Sequence, residues 1–376
     1  MPASSAKLNR ALLLCSLPLF ASAAHAASGD YQLSPLHSNP AAVPLRSDVN
    51  ESLLQMDGYF FVDDSDGLVQ SIKEAYDEGR SLQGRSRGVL VIPGDESALV
   101  ASLESMSDDT NGFNVGAHFS LNTQSPAWHI LGGSEFRGTE RFNYDEADAT
   151  RLRFATVLGL FSFGELQSSM EISVLWFNFL GANYRFNIDG LPNTQFGITA
   201  KLQNISLIER SILISEYDEE KIFDADRDVD HNLQLNADLG VSHRLGDWSA
   251  GLSIKDIYQQ TMRSTLGTLY QQRSQFTSHI GYQATWGEVQ LNADLTPQAG
   301  FGEIPSQRIY DLNSSIPLSE RVALLLAYRW FDSPYNDDAP TIGLHYNLDQ
   351  LLHITAKFSY AGSNELGGSI NLQLPL

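Results

Sequence analysis

A histidine and a serine two residues apart are the first side chains in this 376-residue chain whose types could do chemistry. In His118-Phe119-Ser120 the imidazole could take the serine proton, as in serine hydrolases. Ala117 and Phe119 alternate with this pair, which directs both polar side chains to the face opposite the apolar one. Ser120 also does not lie in a Gly-x-Ser-x-Gly sequence. We therefore predict that the protein is not an enzyme and that His118 is a polar residue of its interior.

A second set of candidate groups is the run of aspartates from Asp224 to Asp230, which is followed by His231. Oxygen ligands at alternate positions suit a hard cation such as Ca²⁺. The run departs from the EF-hand pattern, because Val229 stands where the turn needs glycine and Leu235 where a bidentate glutamate belongs. The sequence therefore favours a solvated outer loop, with divalent ions bridging it to lipopolysaccharide as an alternative. We predict no cofactor and no protein metal site.

The first 26 residues have the pattern of a secretory signal peptide. Lys7 and Arg10 precede an apolar run, and Ala24-His25-Ala26 offers a cleavage site. The single cysteine, Cys15, lies inside this segment, so the mature chain would have no disulfide, thiolate metal site or catalytic thiol. The formal charge is already -21 and becomes more negative by two when Lys7 and Arg10 are removed. Such an acidic chain is not expected to bind nucleic acid.

From residue 112 onward, apolar and polar residues alternate in segments of about ten residues, the length of a tilted transmembrane strand. The clearest segment runs from 233 to 242, and a second from 289 to 296. The polar positions predict a hydrophilic lumen. The predicted lumen-facing residues are His118, Asp238, Asn292, Asp294 and His345. Among charged residues, Asp238, Asp294, Arg329 and Lys357 are expected to form internal ion pairs, because an unpaired charge in a narrow barrel is costly.

A water-soluble sandwich also alternates, but the connections favour a membrane barrel. Short links at 245–247, 286–288 and 348–350 alternate with long polar loops, and aromatic residues collect near strand ends. Counting Val49–Val62 as a strand gives about fifteen strands, and an odd number cannot close a barrel in which every neighbour is antiparallel. Either Val49–Val62 therefore stays out of the wall, or Arg87–Ile92 adds a strand. We predict an all-β transmembrane antiparallel barrel of fourteen strands, with sixteen as the alternative.

The first third of the chain reads differently from the rest. Residues 27–50 are polar, lack periodicity and are expected to form an extended plug segment. Residues 51–111 predict a strand followed by a small helical insertion, with helices over 67–81 and 96–106. The predicted organisation is therefore signal peptide 1–26, plug 27–50, strand and helical insertion 51–111, and barrel 112–376.

Two stretches resemble known outer-membrane proteins. Ser38-Asn39-Pro40-Ala41-Ala42 resembles the Asn-Pro-Ala element of the long-chain fatty-acid transporter (FadL-like) superfamily. The order of a strand, Asp63-Asp64-Ser65-Asp66-Gly67-Leu68, two helices and Gly112-Phe113-Asn114-Val115-Gly116 resembles the TraF-like proteins of conjugal transfer. The resemblance implies a plug in which Asn39, Pro40 and Ala41 lie within the lumen. One departure is the ending Leu374-Pro375-Leu376, which lacks a terminal aromatic residue.

These observations predict a protein of the cell outer membrane. The resemblance implies a non-catalytic, TraF-like component of conjugal transfer or envelope export. The alternatives are a FadL-like conduit for small hydrophobic compounds and a soluble periplasmic β-rich binding protein. The expected partners are outer-membrane lipids and lipopolysaccharide, proteins of a conjugation or secretion machinery, and a small hydrophobic ligand.

Overall fold

The computed structural model describes residues 39–41, 53–64, 67–86, 96–122, 127–158, 162–217, 229–332, 338–348, 351–361 and 365–375. Several predictions lie outside these residues. They are the signal peptide, most of the plug segment, the Arg87–Ile92 strand, the start of the aspartate run at 224–228 and the last residue.

Fourteen strands of the described chain close into one antiparallel barrel in sequence order. This closure confirms the predicted barrel and contradicts a two-sheet sandwich. Two further strands, β8 and β9, form a separate hairpin. The strands are β1 Leu53–Asp63, β2 Thr110–Asn122, β3 Trp128–Asn143, β4 Ser169–Asn187, β5 Thr194–Leu213, β6 Val229–Leu245, β7 Trp248–Lys255, β8 Gln260–Arg263, β9 Leu269–Gln272, β10 Gln275–Ala284, β11 Gly287–Asp294, β12 Arg308–Pro317, β13 Val322–Asp332, β14 Ala339–Leu348, β15 Leu352–Tyr360 and β16 Glu365–Pro375.

The strand count of fourteen is correct, but the assignment that led to it is not. Leaving Val49–Val62 out of the wall is wrong, because β1 joins β2 to β16 and so closes the barrel. Its side chains alternate as a wall strand requires, with Gln55 and Asp57 buried inside and Met56 exposed outside. The barrel therefore begins at Leu53, and the helical insertion lies between its first two strands.

The two faces of the wall differ as the alternation predicts. On β6, Leu235 is 73 % exposed while the next residue, Asn236, is 3 % exposed. Aromatic pairs stand at the strand ends, including Trp248 beside Tyr282 and Tyr328 beside Trp330. An apolar outer belt between aromatic residues is the surface that a membrane-spanning barrel needs.

The two ends of the barrel also differ. At one end, here called the turn end, β1 begins, β16 finishes and short turns join neighbouring strands. The turn after β6 is tight, and Gly246 adopts a positive φ of 60° that suits glycine. The opposite end, here called the loop end, carries the helices and the longer connections.

The wall is taller on one side than on the other. Strands β3 to β6, the tall side, have 16 to 20 residues, whereas β7 and β10 to β16, the low side, have 8 to 11. A tilted strand crosses a bilayer in about 9–11 residues. The tall side therefore projects beyond the apolar belt at the loop end.

Three helices cover the outside of this projection and form what we call the helical cap. They are α1 Leu68–Ser86, α2 Ser97–Ser105 and α3 Ala147–Leu158. The cap shares one apolar core with outward residues of β4 and β5 such as Ile172 and Ile208. The first two helices agree with the predicted ones, since Leu68, Ile72, Leu99 and Leu103 are all buried.

The third helix, α3, has no counterpart in the sequence prediction. It is held by Asp148, whose buried carboxylate accepts hydrogen bonds from the backbone N–H groups of Gln167 and Ser168 and from Arg151. Such a tertiary anchor is not visible as periodicity. None of the described helices is long and apolar enough to cross a membrane.

Candidate functional site: the barrel lumen

The tripeptide Asn39-Pro40-Ala41 lies on the inner face of the tall side. Asn39 is 2 % exposed, and its Nδ2 donates a hydrogen bond to the Val241 carbonyl at 3.2 Å. Asn183 Nδ2 donates to the Pro40 carbonyl at 3.1 Å. The backbone N–H of Ala41 donates to Asn39 Oδ1 at 2.9 Å, which fixes the Asn39 side chain. The tripeptide is thus bonded to β4 and β6.

Three glycines of the wall make room for this tripeptide. A Cβ atom at Gly197 would overlap the Pro40 carbonyl, and one at Gly240 would overlap Asn39 Oδ1. A Cβ atom at Gly251 would crowd both Asn39 and His279. Gly197 pairs directly with Gly240 across β5 and β6. These three glycines, here called the glycine cradle, were not predicted from the sequence. A glycine at an inward-facing position of a strand is nevertheless a signal that another backbone approaches closely.

A cavity of about 400 Å³, here called the main cavity, lies beside the tripeptide. The predicted residues Asp238, Asn292 and Asp294 line it. Its apolar lining includes Leu131, Phe177, Phe179 and Tyr270 on the tall side and in the β8–β9 hairpin, with Ala293, Ala299 and Ile309 elsewhere. Burial raises the pKa of the Tyr270 hydroxyl, which therefore stays neutral. The main cavity is thus mostly polar.

A second space of about 410 Å³, the turn-end cavity, lies along the low side. It is lined by the predicted residue His345 and by Asp57 and Lys357. Glu288 and Gln290 of β11 line both cavities. The two spaces are therefore adjacent, and the inner face of β11 runs from one to the other.

His118 serves as a packing and hydrogen-bonding group of the wall. Its Nε2 lies 2.9 Å from Glu135 Oε1, and its ring contacts those of Tyr59 and Phe179 at centroid distances of 5.6 and 5.8 Å. Both His118 and Ser120 face inward, as their parity predicts. Ser120 is only 2 % exposed, so a substrate could not reach its hydroxyl.

Two of the charged residues that were predicted to form internal ion pairs, Asp238 and Arg329, are paired with an opposite charge. Asp238 bonds to Lys201, which lies 2.8 Å from both Asp238 and Asp256. Arg329 bonds to Asp311 at 2.6 Å. Neither partner, Lys201 or Asp311, was predicted from the sequence, because each is distant in the chain from the residue that it pairs with.

Asp294 was also predicted to form an ion pair. In the described chain, its hydrogen bonds come from an amide side chain and a backbone N–H group. Its carboxylate accepts hydrogen bonds from Gln298 Nε2 at 3.3 Å and from the Ile309 backbone at 3.2 Å. It therefore holds the connection between β11 and β12. Lys357, also predicted to be paired, is buried and lines the turn-end cavity.

Two connections fold inward at the loop end and form what we call the lid: the β8–β9 hairpin and residues 296–307. Their apolar residues Met262, Tyr270, Phe301 and Ile304 are buried against the inner face of the tall side. The wall residues of this small core are Leu175, Ile205 and Leu207. The expectation of long polar outer loops is therefore wrong here, because a few separated apolar residues suffice to dock each connection.

The lid is also fixed by polar bonds, again to the tall side. Glu209 accepts hydrogen bonds from Ser264 Oγ at 2.5 Å and from Thr268 Oγ1 at 2.6 Å. Arg137 donates to Gln298 Oε1 at 2.8 Å and to the Ala299 carbonyl at 2.6 Å. Charge-assisted bonds of this kind are stronger than neutral ones. These bonds from the tall side add to the one that Asp294 of β11 makes to Gln298, and the lid covers the main cavity.

Within the part of the chain that the structure describes, no cluster of three or more His, Cys, Asp or Glu side chains could hold a metal ion.

The family model described as "F plasmid transfer operon, TraF, protein" matches residues 38–295. The chain belongs to this TraF family. The match confirms the resemblance that the sequence motifs carried. No curated protein sequence matches this TraF-family chain.

Solved structures of similar fold include the toluene transporter TodX of P. putida, with a TM-score of 0.50, 11 % identity and coverage of 93 % of this chain and 95 % of that one. The CymD monoaromatic hydrocarbon channel has a TM-score of 0.49 and 8 % identity, with coverage of 93 % of this chain and 94 % of that one. A mutant Rh. blastica porin has a TM-score of 0.30 and 9 % identity, with coverage of 86 % of this chain and 99 % of that one. At 11 % identity, the likeness to TodX shows the fold alone.

Proposed function

We propose that this TraF-family barrel is a non-catalytic outer-membrane conduit for small compounds. The observation that supports this proposal is the pair of adjacent cavities inside a closed barrel, both of which are lined by Glu288 and Gln290. The tripeptide occupies the inner wall beside the main cavity, and the lid covers it. Passage then requires the lid to move, while the wall stays closed.

The outer membrane is the proposed location. The exposed apolar belt with aromatic residues at the strand ends supports it, as does the fold shared with TodX. The turn end would face the periplasm and the helical cap the outside, because outer-membrane barrels have short periplasmic turns and longer outer loops. Lipids would contact the belt, and lipopolysaccharide would lie beside the cap.

The lining favours solutes that are polar or amphipathic. TodX is described as a toluene transporter, but most side chains that line the main cavity here are charged or carry amide or hydroxyl groups. A pocket for an apolar ligand is lined mainly by hydrophobic and aromatic groups. We therefore narrow the expected small hydrophobic ligand to one that has a polar group as well as an apolar part.

Liposome swelling tests this proposal. Purified protein would be reconstituted and exposed to isosmotic glycine or arabinose, beside a variant in which residues 259–273 are replaced by a short Gly-Ser linker. We expect measurable permeation through the native barrel and at least a tenfold faster rate through the variant. A variant that folds, as judged by heat-modifiable migration, yet passes neither solute would refute a conduit.

A second candidate function is a structural part in conjugal transfer or envelope export, which family membership favours. The helical cap would be the surface for a machinery protein. Plasmid-transfer frequency in a strain lacking the gene would be compared after complementation with the native chain or the lid variant. Restoration by both proteins would favour this candidate, because it separates transfer from permeation.

A further inference from the structure

The loop-end half of β6 has a neighbouring strand on one side only. On the β5 side, strand pairs continue as far as Val229, which lies opposite Ile208. On the other side, the pairs with β7 stop at Leu239, which lies opposite Ile254. Within the described residues, no third strand pairs with β6. Residues 229–235 therefore form an open strand edge at the step between the tall and low sides, here called the β6 edge.

The direction of the backbone groups on the β6 edge follows from bonds made lower in the strand. The Ala237 carbonyl accepts from the Ile257 N–H on the open side, whereas the Arg244 N–H donates to the Asn193 carbonyl on the β5 side. Alternate residues of an antiparallel strand direct their N–H and C=O groups to opposite sides. The open side therefore receives the backbone groups of the odd-numbered residues, which are Val229, His231, Leu233 and Leu235.

The β6 edge is open because the chain turns inward after β7 to form the lid. Asn236 ends the ladder, since its Oδ1 accepts from the Tyr258 N–H at 3.1 Å and its Nδ2 donates to the Tyr258 carbonyl at 3.2 Å. Gln234 Nε2 donates to Gln272 Oε1 of the lid at 2.7 Å. The lid thus bonds to inward side chains of β6 and leaves the backbone of the β6 edge uncovered.

The outer surface of the β6 edge is apolar and accessible. Leu233 and Leu235 are 67 % and 73 % exposed, and Val229 packs against the helical cap. An open sheet edge does not occur within the hydrocarbon of a membrane, because its backbone groups would lack hydrogen-bond partners. The β6 edge lies beyond the last pair with the low side, on the part of the wall that projects from the apolar belt. Its partner should therefore come from the aqueous phase.

We propose that the β6 edge binds an extended peptide segment of a partner protein as an added antiparallel strand. Backbone donors and acceptors that recur at every second residue are matched by another extended backbone. Apolar residues at alternate positions of the peptide would pack against Leu233 and Leu235.

A second copy of this chain does not fit the β6 edge. Two barrels inserted in one membrane point their β6 strands in the same direction, so two such edges cannot pair antiparallel. The partner is therefore a different protein, and the adjoining helical cap would extend its contact surface. This proposal is independent of the conduit, because residues 229–235 line neither cavity.

Peptide binding tests the β6 edge directly. A fluorescent synthetic peptide in which valine alternates with threonine would be titrated with the full chain in detergent micelles, and its anisotropy measured. Leu235→Pro removes one N–H from the edge and places a ring there, which edge strands tolerate. Leu235→Thr is the matched control, because it shortens the apolar side chain but keeps the N–H. Heat-modifiable migration would show that both variants are folded.

A second probe makes the test independent of the proline variant. It is the same peptide with methylated backbone nitrogens, titrated with the native chain. We expect the unmodified peptide to bind the native chain and Leu235→Thr with similar affinity. Binding should be at least tenfold weaker for Leu235→Pro and for the methylated peptide. In the native chain, amide hydrogen exchange at Leu233 and Leu235 should be fast alone and slow with the peptide.

Three results would overturn the proposal. The first is that the unmodified peptide fails to bind the native chain. The second is an equal loss of binding in Leu235→Thr and Leu235→Pro, because the leucine side chain and not the backbone edge would then be the site. The third is slow amide exchange at Leu233 and Leu235 without peptide, which would show that another part of the chain or a second copy already covers the edge.

Discussion

The tall and low sides of this barrel follow one alternation but have different surroundings. On the low side, outward apolar residues such as Leu291 and Ile342 are exposed, as a lipid-facing surface requires. On the tall side beyond the belt, Ile172 and Ile208 are buried under the helical cap. The inner face differs in the same way, since the tall side binds the tripeptide and the lid.

The extra strand length of the tall side carries the contacts to the tripeptide, the lid and the helical cap. The low side closes the wall and lines the cavities with polar residues such as Asn292. Each strand of the tall side instead bonds to an element that enters or covers the lumen. Arg137 and Glu209 hold the lid, whereas Asn183 and the Val241 carbonyl hold the tripeptide.

The largest expected effect concerns the buried charges on the two sides. Lys201 of the tall side pairs with both Asp238 and Asp256, and Arg329 of the low side pairs with Asp311. Removing one partner of a buried pair costs about 3–5 kcal/mol, because a charge is left uncompensated. We expect Lys201→Met to lower the unfolding free energy in micelles by this amount and more than Arg329→Met does. Denaturant unfolding measures both, and equal losses would remove this contrast between the sides.

The next effect distinguishes a protein core from a lipid face. Ile208→Ala should cost about 2–5 kcal/mol, because it leaves a cavity in the core shared by the wall and the cap. Leu291→Ala on the low side should cost less, since its side chain is 41 % exposed and faces detergent or lipid. Protease cleavage within the helical cap would follow the first change and not the second. A cap that stays resistant in Ile208→Ala would argue against the shared core.

Much of this fold is predictable from the sequence, and the reasons are local. Alternation in 233–242 and 289–296 predicts the two faces of β6 and β11, and the spacing of Leu68 with Ile72 predicts α1. The role of β1 was missed, because closing a barrel depends on a partner more than 300 residues away: Asn371, opposite Asp57.

The site was less predictable than the fold. The Asn39-Pro40-Ala41 motif marks the tripeptide, but its glycine cradle is assembled from three strands. The lid was mistaken for solvated loops, because Met262 and Phe301 are isolated in polar stretches and acquire meaning only against Leu175 and Ile205. Ion-pair partners such as Lys201 and Asp238 are likewise set by register and not by spacing.

A smaller effect tests the glycine cradle of the tall side. Gly240→Val should displace Asn39, because its side chain would occupy the space of Asn39 Oδ1. Overpacking of this kind costs about 1–3 kcal/mol. Gly58→Val on β1 is the matched control, since no atom lies within 4 Å of a Cβ built there. We expect proteolysis N-terminal to β1 to accelerate only in Gly240→Val. Equal cleavage of both variants would contradict the cradle.

The smallest effect lies in the helical cap and depends on pH. Hydrogen bonds from the Ala147 N–H and from Arg151 hold the pKa of Asp145 below its usual value. A depressed carboxyl pKa stabilises the folded form above the unfolded pKa, near 4, and this contribution is lost as the pH falls through the folded value. Cap protection against hydrogen exchange should therefore decrease below about pH 4 in the native chain. Asp145→Asn should weaken that dependence, and an identical profile would contradict the assignment.

We propose that the lid, which is bonded to the tall side, controls entry to the main cavity. Glu209→Cys and Ser264→Cys place thiols at a lid anchor, and the chain outside its first 26 residues has no other cysteine. Swelling rates of proteoliposomes in isosmotic glycine would be measured before and after treatment with a short, reducible bifunctional thiol cross-linker. The account predicts that cross-linking lowers permeation to the protein-free rate, that reduction restores it, and that treated Ser264→Cys alone is unaffected. Unchanged permeation through a fully cross-linked lid would contradict it.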